Sequence, residues 1–353
     1  MQVEGWYVTG AERPMSTQSR DESPGPGEVL VRVAGCGVCH TDLGFYYDGV
    51  PTRHALPLVL GHEISGRVLE AGEGAKDWIG KDVVVPAVIP CGACAACKAG
   101  KGSICPKQIF PGNDVHGGFA SHVKVPARGL CPVPDLANRK LNPHGLDLAA
   151  LSVVADAVST PYQAIHRSGL AKGDVAVFVG AGGVGGFGVQ IAAARGAHVV
   201  AIDVDAKKLE TMKGFGATLA LPAGDVRELK KSIQAFAKER SVPTWRTFVF
   251  ETSGSKAGQE SAFALLGHGG YLSVVGYTPA KVELRLSNVM ALDATVQGNW
   301  GCLPEHYPAV VDLCLSGAVK VEPFVERRPL ASINATFAEL HEKPLARRVV
   351  LVP

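Results

Sequence analysis

The chain has 353 residues, and its 35 Lys and Arg nearly balance 33 Asp and Glu, leaving a net charge of +2 with histidine neutral. That balance gives no electrostatic grip on a phosphate backbone or an anionic membrane, so neither nucleic acid nor a membrane is expected as a partner. With 46% hydrophobic and 19% charged residues, disorder and small disulfide-stapled scaffolds are excluded, and at roughly 150 residues per domain the length predicts about two domains.

The first ten residues lack a basic segment followed by an apolar one, and they read as a short strand, so a cytoplasmic location is expected. From residue 3 to about 134 the text consists of short β-branched runs, such as 28–33 and 83–88, broken by Pro and Gly. An Ala-rich stretch over 146–170 predicts a helix. Beyond it, apolar runs at 175–179, 198–203, 247–251 and 271–276 alternate with helical segments, which predicts a parallel α/β sheet covered on both faces. One of those segments, 226–240, carries Leu229, Ile233 and Phe236 on a single face and can pack on the sheet. The uncharged stretch 175–194 is long enough to span a membrane, but its glycines and Gln190 split it into a strand and a helix. After about residue 296 short strands return. The expected organisation is a β-rich domain of residues 1–151 and 297–353 interrupted by an α/β domain of 152–296.

The run 175–179 is followed by Gly180-Ala181-Gly182-Gly183-Val184-Gly185, a G-x-G-x-x-G between a strand and a helix. The first glycine permits a tight turn, the second lets backbone approach a pyrophosphate, and the third lets helix and strand pack. Asp203 ends the next strand, eighteen residues after Gly185. A carboxylate there can accept from both ribose hydroxyls and repels a 2′-phosphate, so NAD is favoured over NADP.

Cys91, Cys94, Cys97 and Cys105 follow C-x2-C-x2-C-x7-C in a Gly- and Ala-rich lobe at about 90–106. Four thiolates so spaced can close a tetrahedral zinc with no open position, which makes it structural. An iron–sulfur cluster is the alternative, although the fourth spacing is long for one. Gly37-Val38-Cys39-His40-Thr41-Asp42 and Gly61-His62-Glu63 hold a further thiol and imidazole, which alone leave a zinc short of a third protein ligand.

The ordered set resembles the zinc-dependent medium-chain alcohol dehydrogenase family from near Glu28 to the C-terminus. The resemblance implies a GroES-like β-rich catalytic domain and a Rossmann doubly wound parallel-sheet domain. It further implies two zinc ions per chain, NAD, and a homodimer or homotetramer. Cys39, His62 and Asp156 become the catalytic zinc ligands, with Asp156 read from Asp156-Ala157-Val158-Ser159-Thr160-Pro161-Tyr162. Thr41 becomes the acceptor of the alcohol proton, His40 a neighbour of the pyrophosphate, and Glu63 a carboxylate able to approach the zinc. The cofactor residues fall on Gly180, Gly182, Gly185 and Asp203, with Lys208 on the ribose, Val275 and Tyr277 near the carboxamide, and Arg347 on the pyrophosphate. Where many members carry a proton-relaying histidine this chain has Gly44, so His40, His54 or a water file would carry the proton. The expected substrate is a small-molecule secondary alcohol, a cyclic allylic one carried as a coenzyme A thioester. The alternatives are a simpler secondary, benzyl or polyol alcohol, and zinc-assisted reduction or hydration of a conjugated enone or enoyl thioester. Tyr46, Tyr47, His54 and Trp300 are candidates for the substrate cleft, with aromatic packing as the competing reading.

Overall fold

A computed structural model describes residues 1–343 and 347–353. In chain order it forms β1 (Gln2–Val8), β2 (Ser16–Asp21), β3 (Glu28–Gly37), α1 (His40–Tyr46), β4 (Leu58–Val59), β5 (Glu63–Ala71), β6 (Asp82–Val85), α2 (Ala95–Lys98), β7 (His122–Pro126) and β8 (Cys131–Pro132). Then come α3 (Ser159–Ser168), β9 (Val175–Val179), α4 (Gly185–Ala194), β10 (His198–Asp203), α5 (Ala206–Gly214), β11 (Ala217–Pro222), α6 (Val226–Glu239), β12 (Thr247–Glu251), α7 (Lys256–Ala264), β13 (Tyr271–Val274), α8 (Ser287–Ala291) and β14 (Thr295–Gly298). The chain closes with α9 (Tyr307–Leu315), β15 (Val325–Pro329), α10 (Ile333–Glu342) and β16 (Arg348–Val352). Two compact units result: residues 1–159, 301–317 and 321–353 form the first, and 160–300 with 318–320 the second. No helix among the described residues is long and apolar enough to cross a membrane.

The first unit is built on a seven-stranded sheet in the order β15-β16-β3-β5-β6-β8, with β7 paired to β3, beside the three-stranded β2-β1-β4. β3 is flanked by partners on both edges and turns Val29, Val31 and Val33 to one face, and these valines are fully or nearly fully buried. The register that matters to the site is Gly37 opposite Glu63 and Cys36 opposite Ile64, which brings the ends of β3 and β5 together. β16 lies on the other side of β3, with Val350 opposite Gly37.

The second unit is a six-stranded parallel sheet in the order β11-β10-β9-β12-β13-β14. Its central strand β9 is buried at every residue, as a strand covered on both faces must be. α6 covers one face through Leu229, Ile233 and Phe236, which join the core with Val177, Val200 and Val249.

Three sequence expectations shift. The helix expected over 146–170 is two pieces, a 3-10 turn at Ala150–Ala155 and then α3, because Asp156 leaves helical geometry at φ −143° and ψ −61°. The strand expected at 83–88 stops at Val85, ahead of Pro86, which cannot donate to a ladder. The strand expected at 271–276 stops at Val274, where Val275 and Gly276 turn their N–H groups back to the Glu251 carbonyl.

Candidate active site and dinucleotide loop

The first unit gathers donors from three distant segments. Cys39 is the N-cap of α1, His62 immediately precedes β5, and Glu63 opens it. Asp156 follows the 3-10 turn that packs over β3 and β5. Cys39 Sγ lies 3.7 Å and His62 Nε2 3.6 Å from Asp156 Oδ2. Donors set 2.0–2.3 Å from a tetrahedral ion stand roughly 3.3–3.8 Å apart, so the cluster has the dimensions of a zinc site. His62 is 1% exposed, and neither ring nitrogen has a well-formed hydrogen bond. An ion on Nε2 would satisfy one, and Asp42 Oδ1 stands 3.3 Å from Nδ1 to orient the ring through the other. Thiolate, imidazole and carboxylate together suit a borderline-soft divalent ion, so the residues fit zinc.

The surrounding electrostatics favour a cation. Burial works against a charged imidazole, yet the Asp42 and Asp156 carboxylates outweigh it and hold His62 well above the usual histidine range. Asp42 is itself fixed, because its Oδ2 accepts the Cys39 N–H at 2.9 Å and its Oδ1 the Gly61 N–H at 3.1 Å. Glu63 is wholly buried and tied to Arg348, whose Nε donates at 3.0 Å to Oε2 while its Nη2 meets Oε1. Burial raises the Glu63 carboxyl, and Arg348 pulls it only part of the way back. Gly37 makes room for this carboxylate, since a Cβ there would run into Glu63 Oε2.

Thr41 is half-buried, with Oγ1 3.8 Å from Cys39 Sγ, which puts its hydroxyl beside the ligand cluster. His40 is exposed at the start of α1. Gly44 leaves open the space beside it, with Val50 and the Asp48 carboxylate as the nearest walls. Tyr46 and Tyr47 take packing roles. The Tyr46 hydroxyl donates to the Arg13 carbonyl at 2.9 Å and its ring meets Phe337, while Tyr47 stacks on His341. His54 pairs with His116, at 5.1 Å between rings. Trp300 is half-exposed in the second unit.

The four-cysteine lobe is compact. Sγ–Sγ distances are 3.5 Å for Cys94–Cys97, 3.8 Å for Cys94–Cys105 and 3.9 Å for Cys91–Cys97, close to the edges of a tetrahedron with bonds of about 2.3 Å. The Ala93 and Cys94 N–H groups draw the Cys91 thiol down to about 6, whereas burial and Cys94 push Cys97 up to about 12. All four sulfurs lie within ligating reach of one centre, which fits a structural zinc.

In the second unit Gly180 turns at φ +95° directly after β9, and a Cβ there would sit 2.6 Å from Ser253 Cα. Gly182 has no atom within 4 Å of its would-be Cβ, which leaves an open cradle at the head of α4, and a Cβ on Gly185 would strike the Gly180 carbonyl. This is the shape a pyrophosphate on a helix N-terminus requires. Asp203 closes β10 and is 8% exposed; its Oδ2 accepts from the Ala181 N–H at 2.7 Å and its Oδ1 from the Asp205 N–H at 2.9 Å. It therefore also fixes the glycine loop. Lys208 sits on the first turns of α5, and Val275 and Tyr277 follow β13. Arg347 is exposed, and it is the next residue, Arg348, that enters β16 and reaches Glu63. The sequence motif gives Asp42 no role of its own. Its signal was the capping box, Cys39 as N-cap and Asp42 three residues on.

Comparison with known proteins agrees with this geometry. The family described as "Alcohol dehydrogenase GroES-like domain" matches residues 25–135, and that described as "Zinc-binding dehydrogenase" matches 183–316. An alcohol dehydrogenase of Geobacillus stearothermophilus is 31% identical over 330 residues, covering 92% of this chain and 91% of the relative. Among solved structures, the alcohol dehydrogenase of Aeropyrum pernix has 29% identity and a TM-score of 0.85, covering 99% of this chain and 100% of that one. Acetophenone reductase of Geotrichum candidum, in complex with NAD, has 26% identity and a TM-score of 0.85, covering 100% and 97%. The chain belongs to the zinc-dependent medium-chain alcohol dehydrogenase family, with a GroES-like domain and a Rossmann-type parallel-sheet domain. It is a zinc-dependent, nicotinamide-dependent alcohol dehydrogenase.

Proposed function

We propose that the chain oxidises a cyclic secondary alcohol to the ketone with NAD as hydride acceptor. The natural substrate we infer is 6-hydroxycyclohex-1-ene-1-carbonyl-CoA, converted to the 6-oxo thioester. The observation that carries the reaction class is the convergence of Cys39, His62 and Asp156 with the Thr41 hydroxyl at their edge. Zinc on these three ligands supplies Lewis acidity to the substrate oxygen. NAD supplies the two-electron acceptor.

The remaining roles belong to the chain. Thr41 takes the alcohol proton while passing its own hydroxyl proton on toward solvent, and the hydride leaves carbon for NAD, so that one proton and one hydride are lost and the C–O bond becomes a carbonyl. Asp42 fixes the His62 ring by facing Nδ1. Arg348 neutralises Glu63 and keeps this second carboxylate close to the ligands. Asp203 presents the acid that favours NAD over its 2′-phosphorylated form.

The substrate reading draws on two stretches, 35–49 and 108–122, whose text is similar to dehydrogenases of cyclic hydroxyacyl thioesters in anaerobic aromatic degradation. Both contribute to one apolar group. Phe110 packs with Ala87, Val88 and Phe45, and its ring stands 4.9 Å from that of His62. Such a wall suits an alicyclic ring better than a polyol. The acetophenone reductase likeness favours a secondary alcohol over a primary one.

The test is NADH formation by the zinc-loaded protein with the cyclic allylic hydroxyacyl-CoA, its free acid and a panel of simple secondary, benzyl and polyol alcohols. Preference for the thioester supports the named substrate. Equal or better turnover of free alcohols contradicts it and leaves the secondary-alcohol reading. Label from a carbinol-deuterated alcohol that does not appear in NADH contradicts the reaction class.

A further inference from the structure

Glu251 serves neither ligand cluster nor the glycine loop, yet it is a fully buried carboxylate at the end of β12. In a sheet of this order ligands lie beyond the C-terminal strand ends, and each half of the sheet takes one mononucleotide. The half containing β9, β10 and β11 carries Gly180 and Asp203. The loops after β12 and β13 therefore fall to the nicotinamide half.

Both of those loops hang on Glu251. Its backbone carbonyl accepts from the N–H groups of Val275 and Gly276 at 3.0 Å each. Its Oε1 accepts from the Ser253 N–H at 2.8 Å, the Ser253 hydroxyl at 2.6 Å and the Gly254 N–H at 3.2 Å. Oε2 is buried without a well-formed hydrogen bond and lies against Gly276, where a Cβ would come within 2.8 Å of it. The loops also touch directly. Gly254 stands at φ +62° with room for a Cβ only 2.8 Å from the Tyr277 carbonyl, and a Cβ on Gly276 would strike the Gly254 nitrogen. A carboxylate so buried, with no ion pair among the described residues, is costly, and its hydrogen bonds to the loop backbones are what offset that cost.

We propose that Glu251 is a positioning residue for the nicotinamide half of the dinucleotide, fixing through Ser253, Gly254 and Gly276 the loop backbones that meet it. The inference rests on the NAD reading above. The full-length, zinc-loaded chain is titrated with NAD and with ADP-ribose, which lacks the nicotinamide, and KM for NAD and kcat are measured alongside. Glu251→Ala is expected to weaken NAD about tenfold and ADP-ribose less than about twofold, with KM rising more than kcat falls. Glu251→Gln, which keeps an acceptor at Oε1, restores part of the NAD affinity. Ser253→Ala, which removes one donor, weakens NAD about threefold and decides the matter if Glu251→Ala does not fold. Unchanged NAD affinity, or equal weakening of both ligands, overturns the positioning role. Failure of the unaltered chain to bind either ligand would instead overturn the NAD reading.

Discussion

Cys91, Cys94, Cys97 and Cys105 come from one fifteen-residue stretch and share a partly exposed lobe whose four sulfurs exhaust a tetrahedron. Cys39, His62 and Asp156 come from segments more than ninety residues apart at the extremes, and they meet in the buried seam where β3, β5 and a 3-10 turn pack. The first cluster is complete in itself, so an ion there holds chain together. The second has three close donors and a fourth, the Glu63 carboxylate, held by Arg348, which on the proposed reading keeps a position for substrate oxygen. One unit thus shows how the same element is made inert or reactive by the origin of its ligands.

The comparison breaks first at Asp156. Asp156→Ala should lower turnover by roughly a thousandfold or more, since several kcal/mol of Lewis-acid stabilisation are lost, while metal analysis still finds the four-cysteine ion. Next is Arg348→Ala, which strands the buried Glu63 charge. Urea unfolding should show a loss of about 3–5 kcal/mol, largely recovered in the double variant with Glu63→Gln. Cys97→Ser should act the other way round from Asp156→Ala. Loss of the lobe's ion is expected to cost at least about 3 kcal/mol, lowering the melting temperature by roughly 6–12 °C with the catalytic ion retained.

The smallest effect is a pH dependence. Burial holds His116 down at about 4, so the folded chain excludes a proton that the unfolded chain binds below the usual 6.5. Its contribution to stability is complete above pH 6.5 and is lost as pH falls toward 4. Melting curves should show a larger drop from pH 7.5 to pH 5 in the unaltered chain than in His116→Gln.

What could be read from the sequence follows the same division. The four-cysteine lobe is local, and its spacing alone carries its geometry. So are Gly180, Gly182 and Gly185, whose order between a strand and a helix already implied the cradle found at α4. Cys39 and His62 are legible as candidate donors, but Asp156 is legible only through family resemblance, because nothing local marks it as a partner of Cys39. The helix expected across 146–170 hid the break that turns Asp156 toward His62. The pairing of Arg348 with Glu63 is not legible in the sequence, because it forms only once β16, β3 and β5 lie side by side. Glu251 gave no signal, since its donors become neighbours only when the loops after β12 and β13 meet.

The most direct test of two distinct metal sites is anomalous diffraction at the zinc edge from crystals of the unaltered chain. Two peaks per chain are predicted, one bonded to Cys39 Sγ, His62 Nε2 and an Asp156 oxygen, and one enclosed by the four lobe thiolates. A single peak, or a first peak to which Asp156 is not bonded, would contradict the account.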